Sequence, residues 1–255
     1  MGKKYFTISY DDGLEQDRKI IGLMKEYGIA GTFNISSGLF GKKGYIKRMF
    51  GDMGFDAPED VKKSPKTVDH FILPLEEAKE LYASYDRIEI ASHGTHHMHQ
   101  DKLDEPGLKV EIADDIAALS DIFGTEIKGH IFPYGGYNDA VIKTMKDAGA
   151  VYGRKAMMMV KPKDFALHIE NGIITPTCWH LDKFTEDLLK HFIASESDED
   201  QYFYMWGHGY ELDYGTKRGN WNYLESLFKT ISEAKDVECV TNMEMVDIYT
   251  QKHEQ

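Results

Sequence analysis

The sequence predicts an α/β protein built on a parallel sheet or barrel, and two observations along its 255 residues carry that prediction. Short apolar runs with β character alternate with amphipathic helical patterns over most of the chain, which is typical of stacked βα units. Polar clusters directly follow several of the runs, where the carboxyl ends of parallel strands gather functional groups. We therefore expect a single domain, residues 1–255, with a functional site at that edge of the sheet.

Periodicity and helix-stop residues predict each element in turn. Residues 5–10 form the first strand, and residues 15–27 place Ile20, Ile21 and Met24 at helical spacing before Gly28, a common helix stop. The same criteria predict further strands at 31–35, 87–91, 127–132, 150–152, 173–177, 202–206 and 237–240, and further helices at 74–85, 110–123, 139–148, 186–193 and 223–234.

Residues 36–73 interrupt this alternation and are rich in Gly, Lys and Asp. A connection of that length in a compact domain is usually functional or disordered. We expect a long insertion or lid within the single domain that closes over a substrate.

Composition excludes several classes of partner. A net charge of −13 argues against nucleic acid, since phosphate binding depends on clustered Lys and Arg. No apolar stretch reaches the 18 or so residues of a membrane helix, so we expect no membrane partner. The start of the chain does not resemble a signal peptide, which predicts a cytoplasmic protein unless the chain derives from a longer precursor. Cys178 and Cys239 are too few for a disulfide framework and are predicted to be buried thiols.

Two adjacent carboxylates, Asp11 and Asp12, end the first predicted strand. Successive side chains of a strand point to opposite faces, so only a break at Gly13 lets both carboxylates address one site. Taken alone, Asp-Asp-Gly is commonly a turn with a helix cap. Its importance therefore depends on what lies at the ends of the other strands.

Four histidines, His93, His96, His97 and His99, follow the run Ile88–Ala91. His93 and His97 stand one helical turn apart, the spacing that brings two imidazoles to one face. Two further clusters follow later strands: Phe132–Gly136, which alone is a turn, and Gly207–Gly209 around His208. Acids and imidazoles together at strand ends favour a metal site.

The four clusters, in this order, resemble the polysaccharide deacetylases of carbohydrate esterase family 4, also called the NodB homology domain. Ser9–Gly13 is similar to the family's Thr-Phe-Asp-Asp-Gly motif, and Ser92–His97 to its Ser-His-(three residues)-His motif. Phe132–Gly135 resembles the later part of the Arg-X-Pro-Tyr-Gly motif, and Trp206–His208 falls where the Leu-X-His motif is expected. The resemblance implies a distorted (β/α) barrel of about seven parallel strands.

The resemblance also implies a ligand set and a reaction. Asp12, His93 and His97 would hold a divalent metal, usually zinc, leaving an open position for water. His96 would replace His97 only if the intervening turn were 3₁₀-like, and the family spacing favours His97.

In the reaction that the family implies, Asp11 is the general base and His208 protonates the leaving amine. The backbone N–H of Tyr134 stabilises the oxyanion. The expected function is metal-dependent removal of an N-acetyl group from a carbohydrate or small N-acyl compound. Two alternatives stay open: hydrolysis of a non-sugar or cyclic amide, and a non-catalytic carbohydrate-binding protein. Tyr210, Glu211 and Tyr214 are candidates to line the pocket.

The chain departs from the family pattern in two places. Ile131 stands where the family has the arginine that orients its base, and losing that cation would raise the pKa of Asp11. Arg154 or Lys155, after the next strand, are candidates to supply the charge. The family's fourth motif, which ends in Trp, has no clear counterpart; Trp179 is either its substitute as an apolar wall or a core residue.

Overall fold

The computed structural model describes residues 2–47, 67–156 and 165–253. In chain order the described strands are β1 (Lys4–Asp11), β2 (Gly31–Ile35), β3 (Lys43–Lys47), β4 (Thr67–Phe71), β5 (Ile88–Ser92), β6 (Gly129–Ile131), β7 (Tyr152–Arg154), β8 (His168–Glu170), β9 (Ile173–Thr175), β10 (Cys178–Trp179), β11 (Gln201–His208) and β12 (Val237–Cys239). The α-helices are α1 (Asp17–Tyr27), α2 (Leu75–Ala83), α3 (Glu105–Leu108), α4 (Asp114–Phe123), α5 (Asp139–Asp147), α6 (Thr185–Ala194), α7 (Trp221–Glu233) and α8 (Asn242–His253).

Strand β1 lies in the interior of the large sheet, and all eight of its residues are buried. It pairs in parallel with β11 along its whole length, with β12 near its start and with β2 near its end. The strand order is β10-β11-β1-β2-β5-β6-β7-β9-β8, and only the β8–β9 pair is antiparallel in this sheet. A largely parallel sheet gathers its strand ends at one edge, as the sequence predicts.

The predicted α/β class with a parallel sheet is confirmed. No pairing between the described residues joins the outer strands β10 and β8, which is compatible with the distorted barrel that the resemblance implies. More strands pair in parallel than the expected seven or so because pieces of two or three residues, such as β10 and β12, also join the sheet.

Apolar side chains fill both faces of the sheet. Phe6, Ile8 and Phe33 pack beneath the surrounding helices, whereas Tyr5 and Tyr204 belong to a second buried cluster on the other face. Helix α8, which the sequence analysis missed, covers that second cluster with Met245 and Val246. Few apolar residues recur at helical spacing in α8, so the sequence pattern does not predict a helix there.

The segment 36–73 contributes a two-stranded antiparallel sheet, β3 with β4. A β-bridge between Leu14 and Ile72 joins this hairpin to the loop after β1. Residues 48–66 lie outside the described part of the chain, and the lid expected there stays a prediction.

Cys178 is buried, Cys239 is half-buried, and both are free thiols. Burial raises the pKa of Cys178 to about 12 and that of Cys239 to about 11. Within the three described ranges, the helices lack the combination of length and apolar character that crossing a membrane requires.

Candidate active site

Asp12, His93 and His97 come together where β1 and β5 end. The Oδ1 atom of Asp12 lies 3.7 Å from Nε2 of His93 and 3.5 Å from Nε2 of His97. One ligand atom from each residue lies within 4.8 Å of those of the other two. Bonds of about 2.0–2.2 Å to one tetrahedral ion place the ligand atoms a little over 3 Å apart, so the two distances from Asp12 are close to those of a shared metal ion.

A hydrogen bond at Nδ1 orients the imidazole of His93. Its Nδ1–H donates to the backbone carbonyl of Ile131 at 2.9 Å, which leaves Nε2 to face Asp12. A backbone carbonyl on the far nitrogen is one of the usual partners of a metal-binding histidine. Burial lowers the pKa of His97 to about 4, so this imidazole is neutral, as a ligand must be.

His96, the alternative ligand, points elsewhere. Its side chain is 51% exposed and its Nδ1 lies 2.7 Å from Oε1 of Glu111. Glu111 is buried in the π-helical turn Lys109–Ala113 that joins α3 to α4. Its carboxylate also accepts the backbone N–H groups of His96 and Met98. Glu111 therefore anchors the loop that carries His97.

Three of the predicted site residues have left-handed backbone conformations. The φ angles of Asp12, His97 and Tyr134 are 80°, 56° and 59°, in the region that disfavours every residue with a Cβ. Such a residue costs on the order of 1–3 kcal/mol, and these outliers cluster at functional sites.

Asp11 is buried against a cation. Nη2 of Arg154 donates to Oδ1 at 2.7 Å and to Oδ2 at 2.6 Å, and Nδ2 of Asn34 donates to Oδ1 at 2.6 Å. The guanidinium lies over the ring of Trp206, 4.4 Å from its centroid. Lys155, the other candidate, lies instead over the ring of Tyr137.

The expectation of a raised pKa for Asp11 is wrong. Burial raises it, but Arg154 and the nearby histidines outweigh burial and lower it below its usual range. Arg154 and Ile131 are register partners on the adjacent strands β7 and β6. Arg154 therefore supplies the cation to Asp11 from β7, whereas the family pattern places its arginine at position 131 on β6. The two positions are paired across the strands.

His208 lies on the other side of Asp11, with its Nε2 3.8 Å from Oδ2 of that carboxylate. Its Nδ1 lies 3.1 Å from Oε1 of Glu211. Burial lowers the pKa of His208, but the charge of Glu211, its hydrogen bond and the two adjacent aspartates raise it to about 9. The imidazole is therefore protonated at neutral pH and able to act as an acid.

Glu211 is itself held by several donors. Its Oε2 accepts from Nε1 of Trp179 at 2.9 Å, from Nε2 of His180 at 2.6 Å and from the backbone N–H of His208 at 2.9 Å. Burial raises its pKa, but His208 and His180 lower it to about 2. Trp179, predicted as an apolar wall or a core residue, is buried and also orients the carboxylate beside His208.

The remaining predicted residues lie around this centre. The ring of Tyr134 is 45% exposed, contacts His97 edge-on and stacks on His99 with centroids 4.0 Å apart. Tyr210 is buried and stacks on His208, and Tyr214 is buried beside it. Tyr210, Glu211 and Tyr214 are thus all buried near His208 and do not lie on the surface.

Sequence reasoning missed three contributors: Asn34, Glu111 and His70. Asn34 is a polar residue inside a predicted strand, a signal that could have been used. Nothing distinguishes Glu111 from other helix acids in the sequence. His70 lies in the irregular segment, and its Nε2 is 2.9 Å from Oδ2 of Asp12.

Comparison with known proteins identifies the class. The sequence model of the polysaccharide deacetylase family matches residues 1–153, and the chain belongs to that family. None of the curated proteins matches the sequence significantly.

Several solved structures share the fold. The peptidoglycan deacetylase PdaC from Bacillus subtilis superposes with a TM-score of 0.52 at 15% identity, covering 98% of this chain and 93% of its own. The deacetylase PplD from Streptococcus pyogenes, solved with acetate, gives a TM-score of 0.52 at 16% identity over 71% of this chain and 67% of its own. A family 4 pseudoenzyme from Bacillus anthracis gives 0.55 at 12% identity over 96% and 66%. At these identities the similarity concerns the fold alone.

Proposed function

We propose that this protein is a metal-dependent hydrolase that removes an N-acetyl group from a carbohydrate. One observation carries the proposal: the Asp12, His93 and His97 donors lie beside a second carboxylate, Asp11, and a further imidazole, His208. Membership of the polysaccharide deacetylase family and the deacetylase neighbours support it.

Asp12, His93 and His97 would hold the metal, and zinc is the ion that suits two imidazoles and one carboxylate. When bound there, a divalent cation supplies Lewis acidity toward water and the acyl oxygen. Two imidazoles and one carboxylate leave a position open for those groups, as catalytic zinc sites do.

Asp11 accepts a proton from the attacking water. Arg154 and Asn34 fix its orientation and keep it ionised, although a low pKa also makes it a weak base. As the water oxygen bonds to the acetyl carbon, the backbone N–H of Tyr134 donates to the developing oxyanion.

His208 then gives a proton to the nitrogen as the C–N bond breaks. The products are acetate and a free amine. The oxygen of the water ends in acetate, and the proton that Asp11 takes from the water balances the proton that His208 gives to the amine. Glu211 keeps His208 protonated and turned toward the site. Without that proton the leaving group would be an amide anion, which is far too basic to depart.

The non-catalytic alternative rested on the missing arginine and the unclear fourth motif. Arg154 touches Asp11, and Glu211 with Trp179 supports His208, so both reasons lose weight. A substrate panel separates sugar deacetylation from hydrolysis of a non-sugar or cyclic amide.

The decisive test joins metal analysis to acetate release from N-acetylated mono- and oligosaccharides and simple N-acyl amines. We expect the purified chain to bind about one divalent ion and release acetate. Asp11→Asn should abolish release but keep the metal, and Asp12→Ala should lose both. Asp147→Asn, at an exposed position of α5, is the matched control. A chain in which Asp12→Ala leaves metal content and turnover unchanged would falsify the proposal.

A further inference from the structure

His70, on strand β4 of the hairpin, makes a direct contact with a proposed metal ligand from far along the chain. Its Nε2 lies 2.9 Å from Oδ2 of Asp12. A carboxylate accepts hydrogen bonds, so the imidazole N–H is the donor. The side chains are 23% and 9% exposed, which shields this bond from water.

The two carboxylate oxygens of Asp12 therefore make different contacts. Oδ1 is the atom near Nε2 of both His93 and His97. Oδ2 is occupied by His70. His70 does not join the group of ligand atoms that lie within 4.8 Å of one another. His70 therefore contacts a proposed ligand, Asp12, and is not itself one of the proposed ligands.

The hairpin that carries His70 is fixed to the loop carrying Asp12. The backbone N–H of Leu73 donates to the carbonyl of Gly13 at 3.0 Å, and that of Glu15 to the carbonyl of Phe71 at 2.9 Å. The imidazole also packs against the ring of Tyr210, 5.7 Å between centroids. Strand, loop and ring together hold the donor at Oδ2.

From this geometry we infer that His70 is a positioning residue for Asp12 and that it couples the docking of β4 to metal binding. The inference rests on the proposed function, because it concerns the same metal site. Hydrogen bonds to a ligating carboxylate orient it, and losing one typically weakens metal binding about 10- to 100-fold. Coupling is reciprocal, so a bound metal stabilises the docked β4 by the same factor.

The first test measures zinc affinity by competition with a chelator of known affinity, for the full chain and its variants. His70→Phe keeps a ring against Tyr210 and removes the donor, and we expect about 10-fold or greater weakening. His70→Gln keeps an N–H donor and should recover most of the affinity. Thr67→Val, at an exposed position of the same strand, is the control and should bind like the wild type.

The second test needs no variant. Hydrogen exchange of the peptide covering residues 67–73 is compared in zinc-free and zinc-loaded protein, with residues 168–175 of the β8–β9 pair as the reference. We expect slower exchange in 67–73 on loading and no change in the reference.

The outcomes separate the two proposals. His70→Phe binding as tightly as the wild type, His70→Gln binding as weakly as His70→Phe, or unchanged exchange at 67–73 each overturns the inference and leaves the proposed function intact. A wild-type chain that binds no divalent metal overturns both.

Discussion

The guanidinium of Arg154 and the carboxylate of Asp11 form a buried pair across strands β7 and β1, with Nη2 2.7 Å and 2.6 Å from the two carboxylate oxygens. β7 and β1 are not adjacent in the sheet, since β2, β5 and β6 lie between them. The two side chains nevertheless meet inside the protein, where both groups are almost fully shielded from water.

Replacing Arg154 with Ile should damage both stability and catalysis. Removing one partner of a buried ion pair leaves an uncompensated charge and costs about 3–5 kcal/mol. Loss of the oriented base should lower kcat about 10²- to 10⁴-fold. Urea denaturation and acetate release measure the two effects, and Lys155→Met, which alters the neighbouring cation, should change neither much.

The register of β6 and β7 makes a further, stricter prediction. Ile131 and Arg154 are paired positions, so Ile131→Arg combined with Arg154→Ile should move the cation back one strand and restore part of the lost activity. A double variant no more active than Arg154→Ile would contradict the argument from register.

Glu211→Gln should lower the pKa of His208. In the wild type the neighbouring carboxylate raises that pKa to about 9, against the lowering effect of burial. With the charge removed, burial dominates and the protonated form is lost at lower pH. NMR titration of His208 in the metal-free protein checks this directly, and the alkaline limb of activity should move in the same direction. Glu196→Gln, at an exposed position, should leave the titration where it is.

Glu111→Ala should loosen the loop that presents His97. Without the carboxylate, the backbone N–H groups of His96 and Met98 lose their side-chain acceptor. Leaving such a group unsatisfied costs about 1–3 kcal/mol, measurable by denaturation. Asp114→Asn removes only an exposed ion pair with Lys109 and should cost about 0–1 kcal/mol. Equal effects of the two variants would argue against an anchoring role for Glu111.

Zinc should stabilise the folded chain. A ligand that binds only the native state adds about 2.7 kcal/mol when present at 100 times its Kd. We expect a rise in Tm on adding zinc, its reversal by chelator, and no rise for Asp12→Ala. Asp147→Asn should respond like the wild type, and a zinc-independent Tm in the wild type would speak against a metal site.

The sequence predicted the parallel α/β fold and the residues at its strand ends because both depend on local pattern. His93 and His97 lie close in the chain, and Asp12 follows a strand with clear periodicity, so their meeting could be foreseen. The sequence indicates Arg154 and Lys155 as candidate cations for Asp11, but the choice between them depends on the register of β7.

The groups that sequence reasoning missed act across long separations. His70 reaches Asp12 from a segment without periodicity, and Glu111 acts from a π-helical turn that composition does not reveal. Glu211 was noted only as a pocket candidate, because its support of His208 depends on the 3₁₀ turn Gly209–Tyr214. Such contacts are decided by tertiary packing rather than by local preference.

The left-handed backbone at Asp12, His97 and Tyr134 makes glycine the residue that is least strained at each of these positions. Glycine at any of the three would relieve about 1–2 kcal/mol of steric conflict, so a lineage released from chemistry could gain stability by accepting it. This chain instead keeps an acid, an imidazole and a phenol there. Backbone strain alone does not favour an aspartate or a histidine at such positions, so Asp12 and His97 are the positions to compare first when asking whether a related chain keeps the proposed ligand set.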